Sequence, residues 1–309
     1  MKSETFTFKE GTGPDIFVYK WIPDGGVETK AVVQIAHGMA ETAVRYERFA
    51  ERLTAEGYLV YANDHRGHGK TVVDADRVGD LGDDGFNNMV KEMRRLQVII
   101  KEENPGLPFF LLGHSMGSFL LQRYLCLYGN ELDGAILSGS NGSAGILPYI
   151  GRCIATREIK KYGRSHRSHR MAKLSFGGFN KAFKPNRTKY DWLSRDEAEV
   201  DKYIADPFCG GVFTAGFFHD LAGGLLIIQD KKELAKIPVE LPIYIFSGDM
   251  DPVGKFGKGV MKLVKAYRKL GIKDVSYKLY KGGRHEMLNE TNRDEVMRDA
   301  VEWLNHHVS

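Results

Sequence analysis

A serine with a glycine two positions away on either side lies where an apolar segment gives way to a helical one. Residues 113–117 read Gly-His-Ser-Met-Gly, between the apolar "PFFLL" and the helical "SFLLQRYLCLYG". At a turn from strand to helix, this spacing presents a serine hydroxyl as a nucleophile, because the glycines let strand and helix approach closely around a strained backbone. The backbone N–H of Met116 would open the helix and face a developing oxyanion. The sequence therefore predicts Ser115 as a nucleophile, in preference to a simple helix N-cap.

A nucleophilic serine needs a base, and the base needs a carboxylate that orients it. His285 follows the last predicted strand, and two aspartates, Asp249 and Asp251, follow the strand before it. Such loops meet at one edge of a parallel sheet in the chain order serine, acid, histidine. Asp251 lies further out in its loop, where its side chain can reach a histidine, whereas Asp249 can brace the strand end. We predict His285 as the base and Asp251 as the acid, with Asp249 as the alternative.

A second backbone donor for the oxyanion is expected in the loop after the third predicted strand, which reads "HGMAE". Gly38 permits an unusual turn there, so that the N–H of Met39 can point at the site. The glycine-rich loop "NDHRGHGKT" contains His65 and His68, which could suggest a metal pair, but no supporting ligands follow. We interpret both histidines as residues that brace the loop, and we predict no metal and no other cofactor.

The segments around these residues alternate between strand and helix patterns. "TFTFKE" and "IFVYKWI" flank a turn and predict an antiparallel pair of strands. Apolar strands such as "AVVQIAH", "YLVYAND" and "GAILSGS" are then separated by helical segments. This alternation is typical of a mostly parallel sheet with helices on both faces.

The alternation stops at about residue 141 and resumes near residue 239 with the strand "PIYIFSGD". A sheet that is interrupted and then completed indicates one domain with a late insertion. We therefore predict a first part of the core over residues 1–140, an inserted cap or lid over residues 141–238, and a second part of the core over residues 239–309.

The composition is that of a globular protein: of 309 residues, 42% are hydrophobic and 27% are charged. The N-terminal residues show no apolar signal-peptide region, and the apolar runs are too short to cross a bilayer. The three cysteines are scattered without metal-ligand spacing, which suggests free thiols in a reducing compartment. We expect a cytoplasmic location.

Basic residues are concentrated in one part of the predicted cap. Residues 152–190 contain twelve basic residues and one acid, Glu158, which gives a formal charge of +11 against +4 for the whole chain. Such a segment can be a solvated face, or it can attract an anionic membrane surface. Nucleic acid is not expected as a partner, because no binding motif accompanies the charge.

An aromatic run among glycines follows this basic segment, over residues 206–230. It can pack the cap against the core, or it can form a wall for an aliphatic chain, against which each buried CH₂ would contribute roughly 0.8 kcal/mol. We predict that four of its residues contact such a substrate: Phe213, Phe217, Phe218 and Leu221.

Five segments together resemble the monoacylglycerol lipase and lysophospholipase-like α/β-hydrolases, a group that includes serine aminopeptidases. They are "HGMAETAVRYERFAERLTAEGY", "NDHRGHGKT", "LLGHSMGS", "WLSRDEAEVDKYIADPFCG" and "GGRHEMLNE". Ser118 stands where family members with an "SMGG" elbow have glycine. The resemblance implies an α/β-hydrolase fold with an eight-stranded, mostly parallel sheet and a lid over an acyl-chain tunnel. It implies the same site residues: Ser115, Asp251 and His285 as the triad, with the Met39 and Met116 amides as the oxyanion hole.

Motifs and resemblance together predict a serine hydrolase that cleaves monoacyl lipids, such as a monoacylglycerol or a lysophospholipid, or similar esters through an acyl-enzyme. A serine aminopeptidase is one alternative, but it would need an acidic patch for the substrate amino group, and the basic cap argues against that. A non-catalytic α/β-hydrolase that binds a ligand is the other alternative, against which the intact order of serine, aspartate and histidine argues.

Overall fold

The computed structural model describes residues 1–72 and 74–308 and is built around an eight-stranded sheet. The strands are β1 (Lys2–Phe8), β2 (Ile16–Ile22), β3 (Ala31–Ala36), β4 (Tyr58–Asn63), β5 (Phe109–His114), β6 (Gly134–Ser138), β7 (Ile243–Gly248) and β8 (Val275–Tyr280). Their order across the sheet is β1-β2-β4-β3-β5-β6-β7-β8. The pairs β1–β2 and β2–β4 are antiparallel, and all the other pairs are parallel. The predicted mostly parallel sheet, in which the first two strands of the chain form an antiparallel pair, is confirmed.

Ten α-helices occur in the described part of the chain. They are α1 (Glu47–Ala55), α2 (Gly85–Glu103), α3 (Met116–Tyr128), α4 (Leu147–Tyr162), α5 (His169–Phe176), α6 (Glu197–Ala205), α7 (Ala215–Ile227), α8 (Lys231–Leu234), α9 (Lys258–Lys269) and α10 (Arg293–His307). None of these described helices is both long enough and apolar enough to pass through a lipid bilayer.

Helices cover both faces of the sheet, so that alternate strand residues belong to two different cores. Val32 packs in a cluster with residues of α2, α3 and α9, whereas the adjacent Val33 packs with residues of α1 and α10. Because successive side chains of a strand point to opposite faces, a strand covered on both sides is apolar throughout. This explains the continuous apolar runs of the central strands.

Between β6 and β7 the chain forms the five helices α4 to α8 and adds no strand to the sheet, throughout residues 139–242, all of which the structure describes. Helix α7 packs against α4 on one side and against α2 on the other. Its Phe217 and Phe218 belong to the same apolar core as α2 and α3. Part of the inserted segment is therefore continuous with the core and differs from a separable lid.

Three buried histidines meet where β3 and β4 end. The ring centroid of His37 lies 4.3 Å from that of His65 and 5.1 Å from that of His68. His37 donates from Nδ1 to the carbonyl oxygen of Gly38 (2.7 Å) and accepts at Nε2 from the backbone N–H of His65 (3.0 Å). A ring bonded in this way is neutral, and it braces the loop that contains Gly38. Among the described residues, no group of three or more His, Cys, Asp or Glu side chains has a metal-binding arrangement.

These histidines make the fold sensitive to acid. Burial lowers the pKa of His37 to about 4 and that of His68 to about 3, from an ordinary value of 6.5. As the pH falls below 6.5, the unfolded chain takes up protons that the folded protein excludes, so stability is lost. Burial also raises the pKa of Asp64 to about 6, so protonation of this carboxyl favours the folded state as the pH falls. The contribution of one histidine is therefore measured as the difference in pH dependence between a variant and the parent.

We predict that His68→Asn flattens the pH dependence of the unfolding free energy between pH 6.5 and 4.5. Each histidine kept neutral contributes a slope of about 1.4 kcal/mol per pH unit, and asparagine cannot take up the proton. Urea unfolding at four pH values measures the slope, with the exposed His306→Asn as the matched control. Equal slopes in His68→Asn and the parent would contradict this account.

Candidate active site

Ser115 lies at the turn between β5 and α3 with a left-handed backbone, at φ +52° and ψ −117°. Residues other than glycine seldom adopt this region, and the turn that results presents the side chain outward. Glycine is required on both sides: a Cβ at Gly113 would lie 2.5 Å from the carbonyl oxygen of Gly117, and a Cβ at Gly117 would collide with the carbonyl of Ala36. The strand–turn–helix shape expected of the elbow is present.

A chain of buried hydrogen bonds supports this turn from the helix side. The Ser118 hydroxyl donates to the carbonyl oxygen of Ser115 (2.6 Å) and lies 2.8 Å from the Ser140 hydroxyl. Gln122 donates from Nε2 to the Ser140 oxygen (3.1 Å). Since Ser118 has one proton to donate, Ser140 donates to Ser118, and all bonds of the chain run toward Ser115. The Ser118 hydroxyl therefore adds support to the elbow.

His285 lies in the loop after β8, and its Nδ1 donates to Oδ1 of Asp251 over 3.0 Å. Both side chains are buried, and Asp251 also accepts from the Ser247 hydroxyl (2.9 Å) and the Val253 backbone N–H (2.8 Å). Burial opposes both charges, but the attraction within the pair outweighs it, so the pKa of His285 is raised and the pKa of Asp251 is lowered. With Nδ1 protonated, Nε2 of His285 is the basic nitrogen.

Asp249 makes different contacts. Its Oδ1 accepts from the backbone N–H of Gly282 (2.7 Å), and its own N–H donates to the carbonyl oxygen of Tyr280 (3.1 Å). These bonds connect the ends of β7 and β8. Asp249 thus braces the strand ends, and the aspartate that contacts His285 is Asp251, the one preferred from the sequence.

A group of buried charges, which the sequence analysis did not identify, joins the histidine loop to the loop that contains Met39. Arg45 donates twice to Glu286 (2.7 and 2.6 Å) and once to Glu41 (2.7 Å). Glu41 also accepts from the backbone N–H of Gly38 at 2.5 Å. Burial favours a protonated Glu286, but Arg45 lowers its pKa to about 2, so the pair stays ionised. The spacing of Glu41 and Arg45 was visible in "ETAVRY", whereas Glu286 is 241 residues from Arg45 and only the fold brings them together.

A cavity of about 300 Å³ is lined by Ser115, His285 and Met39. Residues from the inserted segment form much of the remaining wall. They are Ala172, Lys173, Phe176, Gly177, Lys189, Tyr190, Trp192, Leu193, Tyr203, Gly210, Gly211 and Val212. A serine with nucleophile geometry, a histidine paired with a carboxylate and an apolar surface thus share one pocket.

The four residues predicted to contact an acyl chain do not line this cavity, which corrects that expectation. Phe213, Phe217 and Phe218 are buried and meet edge to face, with successive ring centroids 4.5 and 5.4 Å apart, and Leu221 packs against the same core. Phe217, Phe218 and Leu221 of helix α7, and Phe213 just before that helix, pack into the core with the helices that cover the sheet. Much of the apolar cavity wall comes instead from α5 and from Tyr190, Trp192 and Leu193.

Known proteins resemble the chain over nearly its whole length. The sequence model of the family described as "Serine aminopeptidase, S33" matches residues 27–292. The chain is 32% identical to the monoacylglycerol lipase of Mycolicibacterium smegmatis, over 96% of each chain, and 27% identical to the human monoglyceride lipase, over 96% of this chain and 88% of that protein. The crystal structure of a thermostable carboxyl esterase from Bacillus coagulans, in complex with glycerol, superimposes with a TM-score of 0.92 at 29% identity over the full length of both chains. The chain therefore belongs to the serine aminopeptidase S33 family and is an enzyme of the α/β-hydrolase fold, a serine hydrolase similar to the monoacylglycerol lipases.

Proposed function

We propose that this protein hydrolyses carboxylic esters of monoacyl lipids, or similar small esters, with Ser115 as the nucleophile, His285 as the base and Asp251 as the acid. The observation that carries the proposal is the 3.0 Å contact between His285 and Asp251 beside the cavity that Ser115 also lines. A serine, a base and a buried carboxylate are the three groups that acyl transfer through an acyl-enzyme requires.

In the first half-reaction, Oγ of Ser115 attacks the ester carbonyl carbon while its proton passes to Nε2 of His285. The carbonyl oxygen becomes negatively charged, and the backbone N–H groups of Met39 and Met116 are the donors we propose to stabilise it. The imidazolium of His285 then gives its proton to the leaving alcohol, which departs and leaves the acyl group on Ser115. A water molecule attacks this acyl-enzyme with His285 again as the base, and the free acid and Ser115 are released.

The cavity supports a substrate with an apolar acyl part and a polar alcohol part. Phe176, Trp192 and Leu193 offer apolar surface, against which each buried CH₂ contributes about 0.8 kcal/mol. Lys173 and Lys189 belong to the same lining and are exposed, which suits the polar end of the substrate. The M. smegmatis relative that is named a monoacylglycerol lipase and the esterase structure that contains glycerol support a glycerol ester with one acyl chain.

The charges around the cavity favour an ester over a peptide with a free amino terminus. An aminopeptidase must hold the substrate ammonium with an available carboxylate. Within the described lining, the two carboxylates are those of Glu41 and Glu286, and both are paired with Arg45. Arg45 offsets only one of these two negative charges, but all four carboxylate oxygens already accept hydrogen bonds from Arg45, Gly38 or Tyr46, so neither carboxylate is free to bind an ammonium group.

We also propose that the inserted segment contacts an anionic membrane surface. Large apolar residues are exposed where α4 begins: Ile146, Leu147, Tyr149 and Ile150. Basic residues are exposed further along α4 and in α5: Arg152, Arg157, Lys160, Lys161, Arg170 and Lys173. Exposed apolar side chains beside cations are typical of proteins that dock on anionic lipid. Since α5 also lines the cavity, this surface lies beside the proposed active site.

Two arginines of the basic segment are engaged inside the protein. Arg164 pairs with Asp83 (2.8 Å) and Asp220 (2.7 Å). Arg167 donates to the carbonyl oxygens of Val78, Asp76 and Val212. These two side chains fasten the inserted segment to the core, so only the exposed members of the basic segment are available to lipid.

The cytoplasmic location expected from the sequence is part of the same proposal. Cys126, Cys153 and Cys209 are free thiols in the structure. Unpaired thiols are typical of proteins in reducing compartments.

Replacement of Ser115 by alanine should abolish hydrolysis and leave the fold intact, because one hydroxyl is removed. We expect kcat for p-nitrophenyl butyrate and for a monoacylglycerol to fall by about 10⁴- to 10⁶-fold, and labelling by a fluorophosphonate to disappear. Ser276→Ala, which changes a half-buried serine of β8 outside the cavity lining, is the matched control and should keep the label. Most of the parent activity remaining in Ser115→Ala would contradict the proposal, and a parent that cleaves aminoacyl anilides but no ester would favour the aminopeptidase.

The two aspartates should differ sharply in their effect on catalysis. Asp251→Asn removes the charge that orients His285 and stabilises its imidazolium, so we expect kcat to fall about 10⁴-fold. Asp249→Asn keeps an oxygen that can accept from Gly282 and should cost far less. Steady-state kinetics on one ester, with circular dichroism as a check of folding, compare the two. A larger loss in Asp249→Asn would assign the acid to Asp249.

Membrane contact should depend on the exposed cations of α4. Replacing Arg157, Lys160 and Lys161 by glutamine should weaken binding to vesicles that contain anionic lipid by about a hundredfold, since each cation near such a surface contributes roughly 1 kcal/mol. Sedimentation with phosphatidylcholine–phosphatidylserine vesicles measures this, and added salt should weaken the parent's binding as well. The control removes three exposed lysines of α9: Lys258, Lys265 and Lys269. Equal binding by both triple variants would leave the basic segment as a solvated face.

A further inference from the structure

The indole ring of Trp192 lies against the imidazole ring of His285. The two ring centroids are 5.0 Å apart and the ring planes are inclined by 34°. The backbones of the two segments are joined as well: His285 N–H points to the carbonyl oxygen of Trp192 (3.4 Å), and Glu286 N–H donates to the carbonyl oxygen of Leu193 (2.8 Å). The segment between α5 and α6, residues 177–196, therefore runs beside the histidine loop and brings an aromatic ring to the proposed base. We call this segment the strap.

A second ring, that of His114, also lies against His285. Their ring centroids are 4.7 Å apart, at an angle of 46°. Burial lowers the pKa of His114 to about 4, so this neighbour is neutral near pH 7 and adds no positive charge. Nδ1 of His114 lies 3.1 Å from the Ser138 hydroxyl, which holds the ring in place. His285 thus contacts two aromatic rings, and Asp251 is bonded to its Nδ1.

Trp192 is itself fixed by neighbours in α5 and on the strap. Its ring stacks on Phe176 with the planes inclined by 14°, and it meets the ring of Phe179 edge-on at 4.9 Å. Its backbone N–H donates to the side-chain oxygen of Asn180 (2.8 Å). The ring is half-buried and lines the cavity. An aromatic side chain held in this way keeps its position when the charge on His285 changes.

We propose that Trp192 is a positioning residue for the base: its indole ring stabilises the imidazolium form of His285 that arises when Ser115 loses its proton, a role that rests on the function proposed above. A cation within about 6 Å of an indole centroid is attracted by the negative face of the ring, and tryptophan provides the strongest such attraction among the aromatic side chains. Trp192 also comes from the inserted segment, so the segment that covers the cavity contributes directly to the surroundings of the base.

Replacing Trp192 by an uncharged residue neither adds nor removes a charged or titratable group around His285. Asp251 bonds to the ring and His114 packs against it, and Glu286 and Glu41 add negative charge that Arg45 offsets in part. A difference between the parent and a Trp192 variant that keeps this geometry therefore reports the effect of the indole ring.

Trp192→Leu and Trp192→Met remove the aromatic face, and Trp192→Phe restores part of it. In the leucine and methionine variants, we expect the pKa of His285 to fall by about half a pH unit to one unit, and kcat for p-nitrophenyl butyrate to fall about three- to tenfold. The phenylalanine variant should lie between these and the parent. The pKa is read from the acid limb of kcat/KM and from NMR titration of ¹³C-labelled histidine, with the His285 signal assigned by its loss in His285→Gln.

Trp303→Leu is the matched control, because Trp303 is also half-buried and lies against a histidine, His307, with centroids 4.3 Å apart and an angle of 35°. Its replacement should leave the His285 titration unchanged. An unshifted His285 titration in folded leucine or methionine variants, or a phenylalanine variant as impaired as these, would overturn the proposal. The NMR titration needs no turnover, so this outcome is distinct from failure of the ester-hydrolase proposal, which an inactive parent would show.

Discussion

A residue other than glycine that is held at positive φ costs on the order of 1–3 kcal/mol, and the surrounding structure must supply that energy. At Ser115 the N–H donates to the Ser138 carbonyl oxygen of β6 (2.9 Å), and the carbonyl oxygen accepts from Ser118. These bonds require β6 beside β5. The absence of a side chain at Gly117, next to Ala36, lets α3 begin directly against β3. The order of the central strands and the close approach of α3 are thus conditions for the strained turn.

Once this turn is fixed, the electrostatics of the site depend on how buried charges are paired. A buried ion pair is tolerated only if its geometry is good and its remaining hydrogen-bonding capacity is used. Asp251 meets this condition through three partners, His285, Ser247 and Val253. Arg45 meets it by bonding to Glu286 and Glu41, which connects the loop after β8 to the loop after β3. The base and one proposed oxyanion donor are therefore held by one continuous set of contacts.

Local patterns account for what could be predicted from the sequence. Apolar runs locate the strands, the spacing around Ser115 locates the elbow, and parallel topology places Asp251 and His285 at the same edge. Contacts between distant segments leave no such signal, which is why the position of Trp192 beside His285 was not foreseen. The aromatic residues of α7 misled for a physical reason: a helix that is apolar on nearly every side suits either a cavity wall or a core, and only its neighbours decide. Here α2, α3 and α4 surround it, and Phe217 is fully buried.

The charge of the inserted segment shows the same dependence on three-dimensional neighbours. The sequence presents one basic segment with a formal charge of +11, but the fold separates its members by what they contact. Arg164 and Arg167 neutralise or bind groups of the core, whereas the exposed cations of α4 and α5 have no comparable partner among the described residues. A charge that is already paired cannot also attract an external anion without losing its partner. The proposed contact with an anionic membrane therefore depends on the exposed cations of the segment, and its attachment to the core depends on the paired ones.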